Sequence, residues 1–394
     1  MRACLTSRVV WCLAALVLVL GVALTAPAQQ APAPIQIAWA GPLTGDAAQF
    51  GQGYLKGIQL AFEEWNAKGG VLGRKFVVVT EDDACDPKQA GTVATKIADD
   101  AKNVVFIGHV CSGTTIAGAP IINKVNLPMV TLSSNPTITQ QGFKNLFRPI
   151  ANDNVQGKAG VAYAMRKLKA KKFALLSDKQ AFGQGVIDVA KATIEKAGGS
   201  ITSVGGVERN DVDYTAILTK IVKTENPDAI VYCSNFPTSI GLLIKQARQL
   251  GYKKPMVGCD GYFDNGMIKT AGAAVDKKSD SEAVYFTFQA PPHTGPQAPP
   301  KVKAFSEKFK TKYGSDPANY DSYGYDFANI VANAIQKAGS TDKNKIIEVM
   351  HKSSVPGLLI PEYKFDDNGD VINGPLYIYT VEKGAITLVE QWKE

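Results

Sequence analysis

The segment GHVCSGTT, residues 108–115, holds a histidine, a cysteine, a serine and two threonines in close succession. Such side chains could supply a catalytic nucleophile, a metal ligand or hydrogen-bond donors for a bound anion. A catalytic Cys111 would need a free thiolate, because the thiolate is the nucleophilic form. His109, His293 and His351 stand too far apart to match metal-ligand spacing, so His109 is interpreted as a buried, hydrogen-bonded side chain.

The N-terminus has the features of an export signal. Arg2 and Arg8 precede an apolar run over residues 9–24, and Ala-Pro-Ala at 26–28 matches a cleavage pattern. This order predicts a signal peptide over residues 1–28 and a mature protein in the periplasm. A membrane anchor is disfavoured, since the apolar run is short and no cluster of positive residues follows it.

Length and charge narrow the class of protein further. The mature length is about twice that of a typical domain, which predicts two domains. The formal net charge of +7 includes the two arginines of the signal peptide, so the mature chain is mildly basic. Lysine and arginine form no block and do not alternate with aromatic residues, so nucleic-acid binding is not indicated.

Cysteine usage fits an exported protein with disulfide bonds. An even number in such a chain favours bonding, although three pairings are open. The four cysteines of the predicted mature chain are Cys85, Cys111, Cys233 and Cys259. Each follows a strand-like segment, and the ends of successive strands favour bonds between Cys85 and Cys111 and between Cys233 and Cys259. A cystine sulfur cannot attack a substrate, which weighs against a catalytic Cys111.

The elements that must position these residues alternate along the chain. Strand-like runs such as IQIAWAG, FVVVTED and NVVFIGH are each followed by a helical pattern, and a second such series follows from KFALLSD to PMVGCDG. This alternation predicts βαβ units and two doubly wound parallel sheets. The last third of the sequence predicts two helices followed by two β-hairpins. DDNGD at 366–370 is similar to a calcium loop, but Val371 replaces the required glycine, so a hairpin turn is favoured.

Parallel sheets bind ligands beyond the carboxyl ends of their strands. Residues 40–53, 111–115, 132–139 and 259–266 occupy such positions. Short hydroxyls and the free N–H groups at helix starts suit a carboxylate, although plain helix capping explains each residue singly. The candidate donors are Ser112, Thr114, Ser133 and Asn135.

An opposite charge and an apolar wall are also available. Asp260 follows a strand and could accept a ligand ammonium, or form a turn with Gly261. Phe50, Phe182 and Phe236 fall in predicted loops and could wall an apolar pocket, or serve ordinary packing. Glycine motifs lack dinucleotide spacing and no catalytic constellation stands out, so the sequence predicts no enzyme, no cofactor and no metal site.

Several motifs together resemble one family. GPLTGDAAQFG, NAKGG, DDACDPKQA, GHVCS, DKQAFGQG and QAR at 246–248 are similar to motifs of periplasmic leucine/isoleucine/valine-binding proteins. The similarity covers nearly all of the mature chain. It implies the α/β type I periplasmic binding fold, with two doubly wound parallel-sheet lobes joined by three hinge crossovers and a ligand cleft between them. The implied lobes are 31–152 plus 284–364, and 153–283 plus 365–394.

The resemblance also implies residue roles. Cys85 and Cys111 match the family disulfide, whereas Cys233 and Cys259 lack counterparts in the best-known members. Ser112 matches the serine that holds the ligand α-carboxylate. The other first-lobe matches are Ser133 and Asn135, of which Asn135 departs from the usual threonine.

Asp260 matches a glutamate that binds the α-ammonium and is one methylene shorter. Tyr323 matches a tyrosine of the cleft. Phe50, Phe182 and Phe236 stand where leucine-binding members have tyrosines, which makes the cleft more apolar.

The function implied by the resemblance is a monomeric receptor of an ABC importer. Such a receptor binds branched-chain or other apolar amino acids and delivers them to permease subunits in the inner membrane. An aromatic acid, an amide or a related small solute is the alternative ligand. A sensory or structural use of the same fold stays open.

Overall fold

The computed structural model of the protein describes residues 32–318 and 320–393. The predicted signal peptide, residues 1–28, lies outside this range. Within it, no helix combines the length and apolar character needed to cross a membrane.

The first sheet has five parallel strands in the order β2-β1-β3-β4-β5. The strands are β1 Ile35–Gly41, β2 Phe76–Asp82, β3 Asn103–Ile107, β4 Met129–Val130 and β5 Leu146–Phe147. The order reverses between β1 and β3, so their following loops leave toward opposite faces. A crevice opens at such a reversal, beyond the strand ends.

The second sheet has seven strands, of which five are parallel. The remaining strands of the chain are β6 Lys172–Ser177, β7 Ser200–Gly206, β8 Ala229–Cys233, β9 Met256–Gly258, β10 Val284–Phe288, β11 Val355–Pro356, β12 Glu362–Tyr363, β13 Tyr377–Glu382 and β14 Ala385–Gln391. The sheet order is β14-β13-β10-β9-β8-β6-β7, with β13 and β14 antiparallel. Its reversal lies between β6 and β8. The strands β11 and β12 form a separate antiparallel pair.

Helices cover both faces of each sheet. They are α1 Ala48–Ala67, α2 Pro87–Asp99, α3 Ser112–Lys124, α4 Asp153–Lys167, α5 Ala181–Lys196, α6 Thr215–Thr219, α7 Pro237–Gln249, α8 Asn265–Ala271, α9 Pro300–Tyr313, α10 Asp321–Ala338 and α11 Lys343–Lys352. Helix α1 packs against α10, α2 against α3, α4 against α5, and α7 against α8. Alternate residues of β1 enter different cores: Ile37 and Trp39 join α1, whereas Ala38 and Ala40 join α2 and α3.

Shorter helical turns complete the connections. Helix α6 continues as a π-helical segment at Lys220–Glu225 where one longer helix was predicted. The 3-10 turns are Pro136–Gln141, Asp260–Tyr262, Gly272–Ala274 and Asp280–Glu282.

Helix α1 begins earlier than its apolar spacing predicts, and this places Phe50 in a helical first turn rather than in a loop. Its glycines are used for close packing. A Cβ on Gly57 would overlap the Asp321 carbonyl oxygen, and a Cβ on Gly324 would overlap that of Tyr54. The helices α1 and α10 can therefore cross with their backbones in contact.

The chain passes between the two sheets three times, at residues 148–152, 289–299 and 364–376. The predicted lobe boundary at residue 284 needs correction, because β10 pairs with β9 and β13 and so lies in the second sheet. The predicted boundary assigns the apolar run of β10 to the first lobe, whereas its hydrogen bonds to β9 make it a strand of the second sheet. Backbone contacts join the chain from residue 34 onward into one unit, so the other boundaries stay a prediction.

A buried ion pair ties the first crossover to the third. Arg148 is fully buried, and its Nε and Nη2 donate to Asp370 Oδ1 at 2.7 and 2.6 Å. The backbone on either side of Asp370 also bonds to Arg148. Arg148 N donates to Gly369 O at 2.7 Å, and Val371 N donates to Arg148 O at 3.0 Å. Arg148 Nη1 donates to Asn135 O at 2.6 Å, which attaches the loop after β4 to the same point.

We expect Asp370→Ala to lower the free energy of unfolding by roughly 3 kcal/mol, because it leaves a buried guanidinium without its anion. Urea unfolding followed by tryptophan fluorescence measures this. Asp367→Ala removes an exposed carboxylate from the same turn and should change the value by less than about 0.5 kcal/mol. Equal curves for the two variants would contradict a stabilising role for the pair.

Candidate functional site

A small cavity lies where the reversal points of the two sheets face each other. Its volume, counted as the space open to the centres of water molecules, is about 20 Å³. It is lined by Phe50, Val110, Cys111, Ser112, Leu132, Ser134, Phe182, Asn235, Asp260 and Tyr320. The lining residues come from the loops and first helical turns that follow β1, β3 and β4 in one lobe and β6, β8 and β9 in the other, and from the residue before α10. Phe182, like Phe50, lies in the first turn of a helix, α5, rather than in the predicted loop. Both lobes therefore contribute to one site.

One end of the cavity is rich in hydrogen-bond donors. Ser112 is the first residue of α3, and the first intrahelical bond runs from Thr115 N to Cys111 O at 3.0 Å. The N–H groups of residues 112–114 precede that bond, and the helix dipole adds positive potential there. Ser112 Oγ accepts a hydrogen bond from Asn135 N at 3.3 Å, which fixes its position. This end suits an anion.

The second-lobe side of the cavity carries a buried carboxylate. Asp260 follows β9, and its Oδ2 accepts hydrogen bonds from Gln289 Nε2 at 2.9 Å and from Gln156 Nε2 at 3.4 Å. Among the described residues, no donor is within hydrogen-bond geometry of its Oδ1. Burial raises the pKa of Asp260 to about 6. A cation at Oδ1 would supply the missing partner.

Part of the cavity wall is aromatic. Phe50 and Tyr320 meet edge to face with their ring centres 5.1 Å apart. Tyr320 continues to Phe288 at 5.8 Å, and Phe182 closes the side formed by the second lobe. Such walls favour an apolar group between the charged ends.

Four of the predicted ligand residues line this cavity: Phe50, Ser112, Phe182 and Asp260. The other predicted residues lie outside the lining. Thr114 Oγ1 donates to Cys111 O at 2.6 Å, and Ser133 Oγ donates to Val110 O at 3.1 Å. The Thr114 hydroxyl lies inside the first turn of α3, and the Ser133 hydroxyl points back beneath the strand ends. Both therefore bond to backbone oxygens.

The remaining three have packing or linking contacts. Asn135 caps the following 3-10 turn, and its Nδ2 donates to Ala181 O at 2.7 Å. Phe236 lies beneath Arg209, whose Cζ is 4.4 Å from the ring centre. Tyr323 is buried one helical turn beyond Tyr320. A direct ligand contact for these residues stays a prediction.

Sequence reasoning missed five residues of the lining: the apolar Val110 and Leu132, and three polar residues. Ser134 stands one position after the predicted Ser133, and alternation beyond a two-residue strand gave no signal to choose between them. Asn235 lies in the same loop as Phe236. Tyr320 precedes α10, which lies outside the βαβ series, so the strand-end rule does not reach it.

Three contacts join the lobes around the cavity. Arg209 donates to Ala84 O at 3.2 Å and to Cys85 O at 3.3 Å. Thr238 Oγ1 donates to Asp46 Oδ1 at 2.7 Å, and the bond from Asn135 to Ala181 O is the third. The described conformation is therefore closed.

Larger surface grooves lie elsewhere and offer less chemistry. The groove beside α9 and α10 has a volume of about 330 Å³, counted in the same way as that of the cavity. Its buried acid, Asp326, already accepts bonds from Leu358 N, Leu359 N and Tyr363 Oη. No free acceptor or donor of that residue faces a ligand.

The disulfide between Cys85 and Cys111 is present, as predicted, with Cα atoms 5.6 Å apart. The interpretation of His109 is also confirmed, because this buried ring holds Asp83 Oδ2 at 2.6 Å from Nδ1. Asp83 Oδ1 in turn accepts from Cys85 N at 2.9 Å. The rim that carries Ser112 is thus fixed by one covalent and two polar links.

The predicted bond between Cys233 and Cys259 is wrong for this structure, in which both are free and buried. Their strands β8 and β9 are neighbours, as predicted, and Cys259 Sγ lies 3.9 Å from Ser234 O. Burial among apolar side chains raises both thiol pKa values, so the neutral form is favoured and packs as a small apolar group. DDNGD at 366–370 forms the predicted turn, and Asp370 binds Arg148. Among the described residues no cluster suited to a metal is present.

The model of the family described as periplasmic binding protein matches residues 34–385. The chain belongs to that family. A leucine-, isoleucine-, valine-, threonine- and alanine-binding protein of Pseudomonas aeruginosa is 34% identical, over 89% of this chain and 91% of that protein. Members are transport receptors rather than enzymes, and the resemblance to leucine/isoleucine/valine-binding proteins is confirmed.

Solved structures agree with the fold. A leucine-binding protein from Thermotoga maritima is 31% identical with a TM-score of 0.81, over 91% of this chain and 98% of that one. A branched-chain amino acid transporter substrate-binding protein from Streptococcus pneumoniae, solved with isoleucine, is 28% identical with a TM-score of 0.80, over 91% and 99%. The predicted fold of two doubly wound lobes is confirmed.

We expect the Cys85→Ala, Cys111→Ala double variant to lower the free energy of unfolding by roughly 3 kcal/mol, since its loop then opens in the unfolded state. Urea unfolding with and without dithiothreitol measures this. The reductant should destabilise wild type and a Cys233→Ala, Cys259→Ala variant, and leave the first variant unchanged. Destabilisation of the Cys85/Cys111 variant by reductant would contradict the assignment.

Proposed function

We propose that the protein is the receptor of an ABC importer, which binds a branched-chain or other apolar amino acid between its lobes and delivers it to the membrane permease. The observation that carries this proposal is the cavity itself. Its lining combines Asp260, which has one buried, unpaired carboxylate oxygen, with the hydroxyl and helix start at Ser112 and with aromatic rings.

A zwitterion satisfies both ends at once. Its carboxylate would accept from Ser112 and the first-turn amides of α3, and its ammonium would donate to Asp260 Oδ1. A buried charge with a partner is tolerated, whereas a charge left without one costs several kcal/mol. A ligand that lacks one of its two charges is therefore rejected by the site.

The apolar side chain of the ligand would lie against Phe50, Phe182 and Tyr320. Phenylalanine at 50 and 182 offers no hydroxyl, so these walls select against polar side chains. The names of the relatives, which mention leucine, isoleucine and valine, support the same class of ligand.

Binding requires movement of the lobes. The closed cavity has room for about one water molecule, far less than an amino acid occupies. The lobes must separate about the three crossovers to admit a ligand and then close on it. The predicted signal peptide supports a periplasmic location for this receptor, which we propose to be monomeric.

An aromatic acid, an amide or a related solute is the second candidate for the same receptor. The raised pKa of Asp260 favours it, because a protonated Asp260 is neutral and needs no cation. Phenyl walls would hold an aromatic ring by stacking or edge contacts.

Calorimetric titration of refolded, ligand-free protein tests the proposal. We expect isoleucine, leucine or valine to bind at micromolar concentration or tighter, and Asp260→Ala to weaken binding by at least about 100-fold, because the ammonium loses its buried partner. Asp188→Ala removes an exposed carboxylate from the same lobe and should bind as wild type. Benzoate binding that survives Asp260→Ala, with no amino acid bound, would contradict the amino-acid assignment and favour the second candidate.

Arg209 should slow ligand release, since its bonds to Ala84 O and Cys85 O exist only when the lobes are closed. We expect Arg209→Ala to raise the dissociation rate about tenfold, as for loss of a hydrogen bond to a charged group. Stopped-flow tryptophan fluorescence with isoleucine measures this rate. Lys179→Ala removes an exposed ion pair with Glu208 on the same loop and is the control. An unchanged rate for Arg209→Ala would show that these contacts do not hold the closed state.

A further inference from the structure

Beneath the cavity, Asp260 has a second buried acid as its neighbour. Asp153 is the first residue of α4 and is fully buried. A single amide connects the two groups: Gln156 Nε2 lies 2.9 Å from Asp153 Oδ1 and 3.4 Å from Asp260 Oδ2. The Gln156 Oε1 atom is held by Asp260 N and by Thr287 Oγ1, each at 2.9 Å, so the amide cannot turn away.

Two carboxylates sharing one donor repel each other when both are ionised, and burial strengthens the repulsion. The cation acting on Asp153 is Arg148. Its guanidinium is directed to Asp370, Thr139 and Asn135 O. The charge of Arg148 is thus largely matched by Asp370.

The other groups around the pair cannot neutralise it. They are neutral or negative, namely the carboxyl group of Asp178, the thiols of Cys233 and Cys259, and the hydroxyls of Tyr320 and Tyr323. Ser134, whose backbone oxygen accepts from Asp153 N at 2.9 Å, connects the pair to the cavity lining.

We propose that Asp153 is a positioning residue of the binding site: the Asp153–Asp260 pair holds one proton when the cleft contains no cation, and a ligand ammonium at Asp260 expels that proton to solvent. The proton leaves one carboxyl oxygen of the pair and is taken up by buffer. This inference rests on the proposed amino-acid function and specifies how charge is balanced in it.

The electrostatics of the pair supports the inference. Burial and then the charge of Asp260 raise the pKa of Asp153 to about 7, and burial raises that of Asp260 to about 6. At pH 6 the pair therefore retains at least one proton on average, and it loses this proton as the pH rises through 7. An ammonium beside Asp260 lowers the pKa of both groups, because it replaces the proton as the compensating positive charge.

A consequence for ligand choice follows. A ligand without an ammonium leaves the proton in place, so its binding should be weakened as pH rises and the pair loses that proton. An amino acid gains affinity over the same range, because less work is needed to expel the proton. The two ligand classes are expected to have opposite pH dependence.

The first arm of the test uses ligand-free protein. A raised pKa in the folded state stabilises the fold below the unfolded pKa near 3.8, and this stability is lost as pH rises through about 7. The stability of Asp153→Asn relative to wild type should therefore increase from pH 4 to pH 8. The ratio of the wild-type unfolding constant to that of the variant should rise at least tenfold over this range. Asp188→Asn is the control and should show no such trend. Parallel curves for Asp153→Asn and wild type would overturn the inference.

The second arm counts protons during binding. Isoleucine is titrated calorimetrically at pH 6.0 and pH 8.0, each in two buffers of different ionisation enthalpy. We expect wild type to release close to one proton per ligand at pH 6.0 and almost none at pH 8.0. Asp153→Asn should release less than half as much at pH 6.0, and Asp188→Asn the same as wild type. Wild type alone gives the proton count, so the test stands even if Asp153→Asn fails to fold.

The outcomes separate the inference from the proposed function. Tight isoleucine binding with the same enthalpy in every buffer overturns proton expulsion and leaves the amino-acid function intact. Absence of amino-acid binding at either pH overturns both. The positioning role is supported if Asp153→Asn loses proton release while its affinity at pH 8.0 stays within about threefold of wild type. A merely structural defect would lower affinity at every pH.

Discussion

The ion pair between Arg148 and Asp370 is the interaction on which the arrangement of the two lobes depends. It joins the first and third crossovers by side chains and by backbone, and it holds the loop after β4 through Asn135 O. That loop carries Leu132 and Ser134 of the cavity lining. The hinge and the binding site therefore share one buried anchor.

Around this anchor, the two lobes bring different chemistry to the cavity. The first lobe contributes N–H groups and a hydroxyl at the start of α3, made rigid by the disulfide and by the contact of His109 with Asp83. The second contributes carboxyl groups backed by Gln156 and Gln289. Under the proposed function neither set is a complete site alone, because an amino acid presents charges of both signs. Closure of the lobes would then bring both sets to one ligand and couple the movement of the lobes to recognition.

Much of this organisation could be predicted from the sequence. Alternating apolar runs and helical patterns gave the parallel sheets, since period and length distinguish strands from helices. The strand-end rule led to Ser112 and Asp260, which follow strands β3 and β9. It did not distinguish Ser133 from Ser134, because one position changes which side chain reaches the cavity. The family resemblance pointed to Tyr323, whereas Tyr320, one helical turn earlier, lines the cavity. The pairing of Arg148 with Asp370 had no local signal, as the two residues are distant in sequence. The thiols of Cys233 and Cys259 show that neighbouring cysteines in an even set need not be bonded.

The three crossings between the sheets also govern the order in which the chain can fold. Strands β1–β5 are complete early in the sequence, yet α10, which packs on α1 over one face of their sheet, follows the whole series from β6 to β10. The second sheet in turn gains β13 and β14 only at the C-terminal end of the chain. Each lobe thus contains contacts between residues far apart in sequence, and closing such long loops is slow. Neither lobe can bury its core fully until contacts between its distant segments have closed these long loops.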